Sequence, residues 1–297
     1  MTCFYPLTAW RSRDPDDTKN GKTRLVFDKN KGRPGTELKI KCGQCAGCRL
    51  DKARSWAVRA LHEKTLHDHS YFITLTYSDE NLVLSDSLAP TLFPRHPTLF
   101  LKRLRKRYGP GIRYLYCGEY GSLFDRPHYH MLLFNCNITD LSVCAKSGTS
   151  YIYTSEELHR LWPYGFHSIG DLTFDSACYA ARYTLKKITG KLAEEHYGDR
   201  YPEFMRVSRR PGLGREFYDK WKSDLYNYDK CVVKDNFIAR PPEYYDRLFE
   251  QEHGDEFKSI KQARKSRVRE RDTEELERLR SVQAEKTKRL SRKYENC

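Results

Sequence analysis

Arg126-Pro127-His128-Tyr129-His130-Met131-Leu132-Leu133-Phe134 is bulky, aromatic and apolar, holds no glycine, and carries its one proline near the start. That composition predicts a β-strand. Side chains alternate along a strand, so His128 and His130 project from one side, and Tyr129 and Met131 from the other. Two imidazoles at that spacing are a ready pair of metal ligands. A lone histidine in such a strand more commonly just packs or hydrogen-bonds, so the surroundings of the pair decide its meaning.

Upstream, the Gly109-Pro110-Gly111 turn leads into a second predicted strand over 112–119, and residues 120–126 read as a polar loop. The two strands form an antiparallel hairpin that sets Glu119 near His128 and His130. One carboxylate and two imidazoles with open positions suit Mg²⁺ or Mn²⁺ bound to a phosphate. Magnesium prefers oxygen ligands, which favours Mn²⁺ and leaves Zn²⁺ as a further alternative. Residues 71–77 (Tyr-Phe-Ile-Thr-Leu-Thr-Tyr) predict another strand, with Thr74 and Thr76 on the face of Phe72. Pro97 suits the first turn of a basic helix to Tyr108, burying Phe100, Leu101 and Leu104. A helix over 49–67 carries the apolar stripe Leu50, Ala53, Ala57, Val58 and Leu61, with Lys52, Arg54 and Arg59 expected on its surface.

Downstream, Thr154-Ser155-Glu156-Glu157 predicts a capping box before a short helix to Trp162, followed by a strand over 166–171. Asp175 is the expected cap of a helix reaching about residue 188, closed by Gly190. Within it Tyr179 and Tyr183 are four residues apart, stacked on one face about 6 Å along the axis, and Lys186 joins that face. A phenol with pKa about 10 is a poor nucleophile unless its charge is stabilised, as by a metal-bound phosphate and a nearby lysine. Both tyrosines read as well as amphipathic core residues, since the chain has 21 of them.

The formal net charge of +14 points to a polyanionic partner, most simply nucleic acid. Mean hydropathy is -0.81, no apolar run is long enough to span a membrane, and the N-terminus lacks an apolar signal core. A soluble intracellular protein without a membrane partner is expected. Of ten cysteines, three form Cys42-x2-Cys45-x2-Cys48, and Cys3 is available as a fourth ligand. In a reducing compartment that spacing favours a structural Zn²⁺ over disulfides, the alternatives being small buried residues or a reactive thiol cluster. Residues 191–250 suggest a DNA-contacting extension with Arg206, Arg209, Arg210 and Arg215, and with Tyr201, Phe204 and Phe217 as stacking platforms or ordinary packing. From His253 the chain reads as a charged helical or partly disordered tail.

Taken in order, the 72–77 strand, Glu119, His128-Tyr129-His130 and Tyr179-x3-Tyr183-x2-Lys186 resemble the HUH endonucleases that initiate rolling-circle replication. The likeness is strongest to the initiators of small single-stranded DNA phages, the gokushovirus-type microviruses, whose pattern Cys42–Arg49 and Trp56-Ala57-Val58-Arg59 also resemble. It covers roughly residues 40–190, and its specificity lies in the ordered set of motifs. The resemblance implies an α+β fold, a central antiparallel sheet flanked by helices around a ferredoxin/RRM-like βαββαβ core, with a helical charged C-terminal tail. Residues 1–68 would form a Cys-rich segment and helix, 69–190 the endonuclease core, 191–252 the extension and 253–297 the tail. It further implies that Glu119, His128 and His130 hold the metal. Tyr179 or Tyr183 would attack the phosphate, leaving a 5′-phosphotyrosyl link and a 3′-OH that primes replication. Lys186 would assist, and Lys187, Arg182 and Arg126 would contact DNA. The chain has no Gly-x4-Gly-Lys-Ser/Thr motif, since Gly21-Lys22-Thr23 has Asp16 at the first glycine position. The implied partners are therefore origin DNA, a host helicase and a host polymerase in the bacterial cytoplasm. The oligomeric state stays open. A non-catalytic zinc-containing nucleic-acid-binding protein is the rival from another class, and an HUH transposase or relaxase keeps the chemistry in another setting.

Overall fold

The computed structural model describes residues 3–19, 22–121, 124–148, 150–182, 187–188, 190, 192–234, 237–267 and 272–290. Two units are resolved within them, Met1–Asp51 with Val268–Ser291, and Lys52–Arg267. In the first, β1 (Leu7–Arg11) lies between β4 (Leu25–Val26) and β5 (Leu38–Ile40) in a small antiparallel sheet, with the hairpin β2 (Thr18–Lys19) and β3 (Lys22–Thr23) beside it in sequence.

The second unit is organised by a seven-stranded antiparallel sheet. Its strands are β6 (Ser70–Thr76), β7 (Arg113–Tyr120), β8 (Pro127–Phe134), β9 (Ser142–Ser147), β10 (Ser150–Thr154), β11 (His167–Asp171) and β12 (Phe204–Val207). They lie in the order β12-β7-β8-β6-β11-β10-β9, so the histidine strand has a long partner on each side. This is the expected α+β arrangement of a central antiparallel sheet flanked by helices.

Strand alternation divides the sheet into two chemically different faces. Tyr129, Met131 and Leu133 of β8 join Ile73 and Leu75 of β6 in an aromatic-rich core with Phe100, Leu101 and Leu104 of α2 (Arg95–Tyr108) and Trp162. Tyr129 anchors this face through polar bonds: its hydroxyl donates to the Phe93 carbonyl, accepts from the Phe93 amide and pairs with the Tyr77 hydroxyl. On the opposite face Leu132 and Phe134 pack with Leu115 against Ala57 and Ala60 of α1 (Ala46–Lys64) and Ala177 and Ala180 of α4 (Phe174–Ala181). Alanines there let the helices approach the strands closely, while the polar residues of the same strands remain at one end.

Several local expectations shift. Ser155, not Thr154, caps α3 (Glu156–Leu161), its hydroxyl accepting from the Leu158 amide. Thr173 rather than Asp175 caps α4, in a reciprocal box with Ser176. Arg59 is buried instead of lying on the helix surface; it donates two hydrogen bonds to the Leu213 carbonyl and lies against the Trp56 and Tyr244 rings. The 191–250 region is not an open clamp. It contributes α5 (Leu192–Tyr197), β12 on the outer edge of β7, α6 (Arg215–Asn227), the hairpin β13 (Cys231–Lys234) and β14 (Phe237–Ala239), and most of α7 (Glu243–Glu252). Phe204 is a core residue against Tyr116, and Phe217 stacks on His62, which leaves Tyr201 as the exposed ring of the three. The solvated tail does not begin at His253, because α8 (Gly254–Ser266) buries Phe257 against Tyr226 and Phe249. Its Arg264 pairs with both Asp229 and Asp246. The charged helix α9 (Thr273–Leu290) belongs to the first unit. No helix among the described residues is long and apolar enough to cross a membrane.

Candidate active site

The site lies across three neighbouring strands on the face covered by α1 and α4. In the β7–β8 register Glu119 stands directly opposite His128, and in the β6–β8 register Thr74 stands opposite His130. Glu119 Oε1 lies 3.1 Å from His130 Nε2 and 3.4 Å from His128 Nε2. Ligands at about 2.1 Å from an octahedral ion stand roughly 3 Å apart when adjacent, so these separations suit one divalent cation. The donor set fits as well: one buried carboxylate and two imidazoles.

Hydrogen bonds behind the rings set the direction of those donors. His128 Nδ1 lies 3.1 Å from the Arg126 carbonyl, which can only accept, so the proton sits on Nδ1 and the Nε2 lone pair faces Glu119. Thr74 Oγ1 lies 3.0 Å from His130 Nδ1 and supports the same tautomer there. Burial works to raise the Glu119 carboxyl, but the hydrogen bonds from His128 and His130 outweigh it and hold the group well below the usual carboxylate range. The site therefore presents an ionised oxygen between two nitrogen donors.

Tyr179 reaches this group from α4. Its ring meets His130 edge to face with centroids 4.8 Å apart, and lies 6.3 Å from Phe72, which itself stacks on His130 at 5.3 Å. Tyr183 and Lys186 lie outside the described residues. Arg182 is the half-buried C-cap of α4, and Lys187 is half-buried beyond it. Arg126 makes an ion pair with Asp79 and donates to the Tyr77 carbonyl, tying the segment before β8 to the end of β6. Two contributions escaped the sequence reading: the placement of Thr74 behind His130 and of Cys117 opposite it. Strand alternation, which puts Thr74 on the face of Phe72, was the signal available for the first.

The face is buttressed by a buried cluster that sequence reading also missed. Glu63 of α1 pairs with Arg113 at the start of β7, accepts from the Gly214 amide at 2.6 Å and lies 3.3 Å from His67 Nε2. Beside it His62 bridges the Tyr245 hydroxyl and the Val232 carbonyl at 3.0 and 3.1 Å.

In the first unit, Cys3, Cys42, Cys45 and Cys48 gather with their sulfurs within 4.8 Å of one another, and all four are free of disulfides. Cys3 and Cys42 sulfurs are 3.6 Å apart, and Cys3 and Cys45 sulfurs 4.0 Å. The amides of Cys42 and Cys45 each point at a neighbouring sulfur at 3.3 Å. Gly43 takes a φ of 74°, a left-handed turn that reverses the chain between the first two ligands of the 42–48 segment.

Comparison with known proteins adds identity to geometry. The family of the replication-associated protein ORF2 matches residues 70–188. The chain is 40% identical over 271 residues to the replication-associated protein ORF2 of Spiroplasma virus 4, across 86% of this chain and 83% of the relative. It is 31% identical over 264 residues to the replication-associated protein VP4 of Bdellovibrio phage phiMH2K, across 85% of this chain and 78% of the relative. No solved structure matches it.

Proposed function

The chain belongs to the phage replication-associated proteins of the ORF2 family, and from that premise we propose that it nicks and rejoins origin DNA to initiate rolling-circle replication. The observation that carries this reading is the approach of the Tyr179 ring to His130, within a carboxylate–imidazole group fit for a divalent cation. A cation held by Glu119, His128 and His130, Mg²⁺ or Mn²⁺, supplies Lewis-acid polarisation of the scissile phosphate when bound. Thr74 and the Arg126 carbonyl hold the two imidazoles with Nε2 facing that position. The Tyr179 oxygen attacks phosphorus, forming a phosphotyrosyl bond as the bond to the 3′ oxygen breaks. The proton lost by the phenol balances the one gained by the departing hydroxyl. Tyr183 is the second nucleophile for the regenerated origin, with Lys186, Lys187 and Arg182 compensating phosphate charge. Origin DNA, a host helicase and a host polymerase are the partners this role requires. The cysteine group takes no part in the chemistry.

The test is incubation of the full chain with labelled circular single-stranded DNA carrying the phage origin and Mn²⁺, followed by denaturing electrophoresis. A covalent protein–DNA band is expected, abolished by EDTA and by the double change Tyr179→Phe, Tyr183→Phe, with DNA binding retained. Undiminished adduct in the double variant overturns the assigned nucleophiles.

A further inference from the structure

The first unit has very little to hold it together. Among its described residues the buried apolar side chains are Cys3, Phe4, Ala9 and Cys48. Two of those four belong to the cysteine group itself. Units below about 70–80 residues seldom gain enough from a hydrophobic core and commonly rely on disulfides or a structural metal. This one, Met1–Asp51 with Val268–Ser291, has neither a core of normal size nor a disulfide among its described cysteines.

The cysteine geometry supplies what is missing. Thiolates at about 2.3 Å from a tetrahedral zinc lie roughly 3.8 Å apart, and the observed sulfur separations of 3.6 and 4.0 Å bracket that value. Four sulfurs this close cannot all carry charge without a cation between them. Burial raises the Cys3 and Cys48 thiols, whereas at Cys42 burial is outweighed by the Cys45 and Gln44 amides, which bring that thiol down to about 7. Amides directed at sulfur are the support a metal-bound thiolate needs, since they stabilise charge left on the ligand.

The contacts next to Cys3 extend the consequence to the far end of the chain. Arg280 of α9 donates to the Phe4 carbonyl at 3.0 Å, and its guanidinium lies 4.6 Å from the centre of the Tyr5 ring. Phe4 and Tyr5 directly follow Cys3, so whatever fixes Cys3 also fixes the surface on which Arg280 rests.

We infer that Cys3, Cys42, Cys45 and Cys48 hold one Zn²⁺ as an all-thiolate structural site, and that this ion orders the N-terminal unit and the docking of α9 within it. Zinc is favoured over harder ions because four soft sulfur donors close a tetrahedron and leave no open position. The assignment is independent of the tyrosine chemistry at the sheet.

The test uses the full chain, purified without chelator. Elemental analysis is expected to find about one zinc per chain, released by a thiol-blocking mercurial and retained in His128→Ala. Chain loaded with Co²⁺ in its place is expected to show the absorption of tetrahedral thiolate coordination. Cys45→Ser is expected to lose the metal; should that variant fail to fold, mercurial release from the wild-type chain answers the same question. Zinc absent, or unmoved by the mercurial, overturns the site. Limited trypsin digestion reads the second half of the inference. Zinc removal is expected to open cleavage within 273–290, and Arg280→Ala to do the same with zinc still bound. An unchanged digestion pattern after zinc removal overturns the ordering role.

Discussion

Glu119, His128 and His130 stand on adjoining strands whose backbone pairing aligns them, while Cys3, Cys42, Cys45 and Cys48 come from a terminal segment and from the turn leading into α1. The strand-borne ligands need no ion to find one another. Tyr129 between the histidines is fixed on the aromatic face by Phe93 and Tyr77, and the Arg126 carbonyl and Thr74 turn the rings. The cysteines have almost no apolar packing around them, and their approach makes sense chiefly through the charge they would share. One group is a site carried by a fold; the other helps to make its fold. That difference is what allows the first to keep open positions for a phosphate and requires the second to be closed.

The comparison breaks most severely if the buttress behind the strands is removed. Glu63→Ala leaves the Arg113 guanidinium, which is mostly buried, without its carboxylate partner and the Gly214 amide without its acceptor. Removing one member of a buried ion pair costs about 3–5 kcal/mol, and urea denaturation should show a loss of that size for the unit carrying the sheet. Zinc content should not change. A loss below about 1 kcal/mol, within the range of an exposed pair, would show that the sheet face does not depend on this cluster.

The same contrast explains what could be read in advance. The β6, β7 and β8 strands were legible because each alternates apolar and polar residues, and the Glu119–His128 pairing followed from an antiparallel hairpin. The cysteine spacing was legible for a similar local reason. β12 was not, since Phe-Met-Arg-Val becomes a strand only because the outer edge of β7 offers it a partner. Phe204 looked like a free stacking surface and is a core residue for the same reason. Arg59 and Phe257 resembled parts of charged, solvated helices. Their burial is created by Leu213, Tyr244, Tyr226 and Phe249, which are distant in sequence. Tyr179 was placed near the histidines by resemblance, and its 4.8 Å approach to His130 rests on alanines that let α4 lie close to β8.

Acid should sharpen the distinction by loosening only the buttress. Burial lowers His62 to about 4 from the ordinary 6.5, although its bond to the Val232 carbonyl acts the other way. Nε2 donates to that carbonyl and Nδ1 accepts from Tyr245, so the folded state holds the neutral ring. As pH falls from 6.5 to 4 the unfolded chain takes up a proton that the folded chain refuses, and stability declines across that window. The gap corresponds to about 3 kcal/mol, fully expressed below the lower value and absent above 6.5. His62→Gln retains both hydrogen bonds without the titration. The difference in denaturation free energy between wild type and variant should therefore move with pH between 4 and 6.5 and stay flat above; a flat difference throughout would remove His62 as the titrating group.

The smallest change tests whether the strand-borne site is oriented as well as aligned. Thr74→Val keeps the side chain's shape and removes the hydroxyl behind His130 Nδ1. The strand pairing does not use that hydroxyl, so folding should be little affected, within about 1 kcal/mol of one lost hydrogen bond. The imidazole, however, loses the partner that fixes its tautomer and turns Nε2 toward Glu119. Outer-shell partners of ligating histidines typically contribute 10- to 100-fold to metal affinity. Mn²⁺ titration of the variant should show a weakening of roughly that order, with Thr74→Ser restoring much of it because serine again offers a hydroxyl. Equal Mn²⁺ affinity in wild type and Thr74→Val would mean that the β6–β8 register alone positions His130, making the backbone the whole of the scaffold on that side.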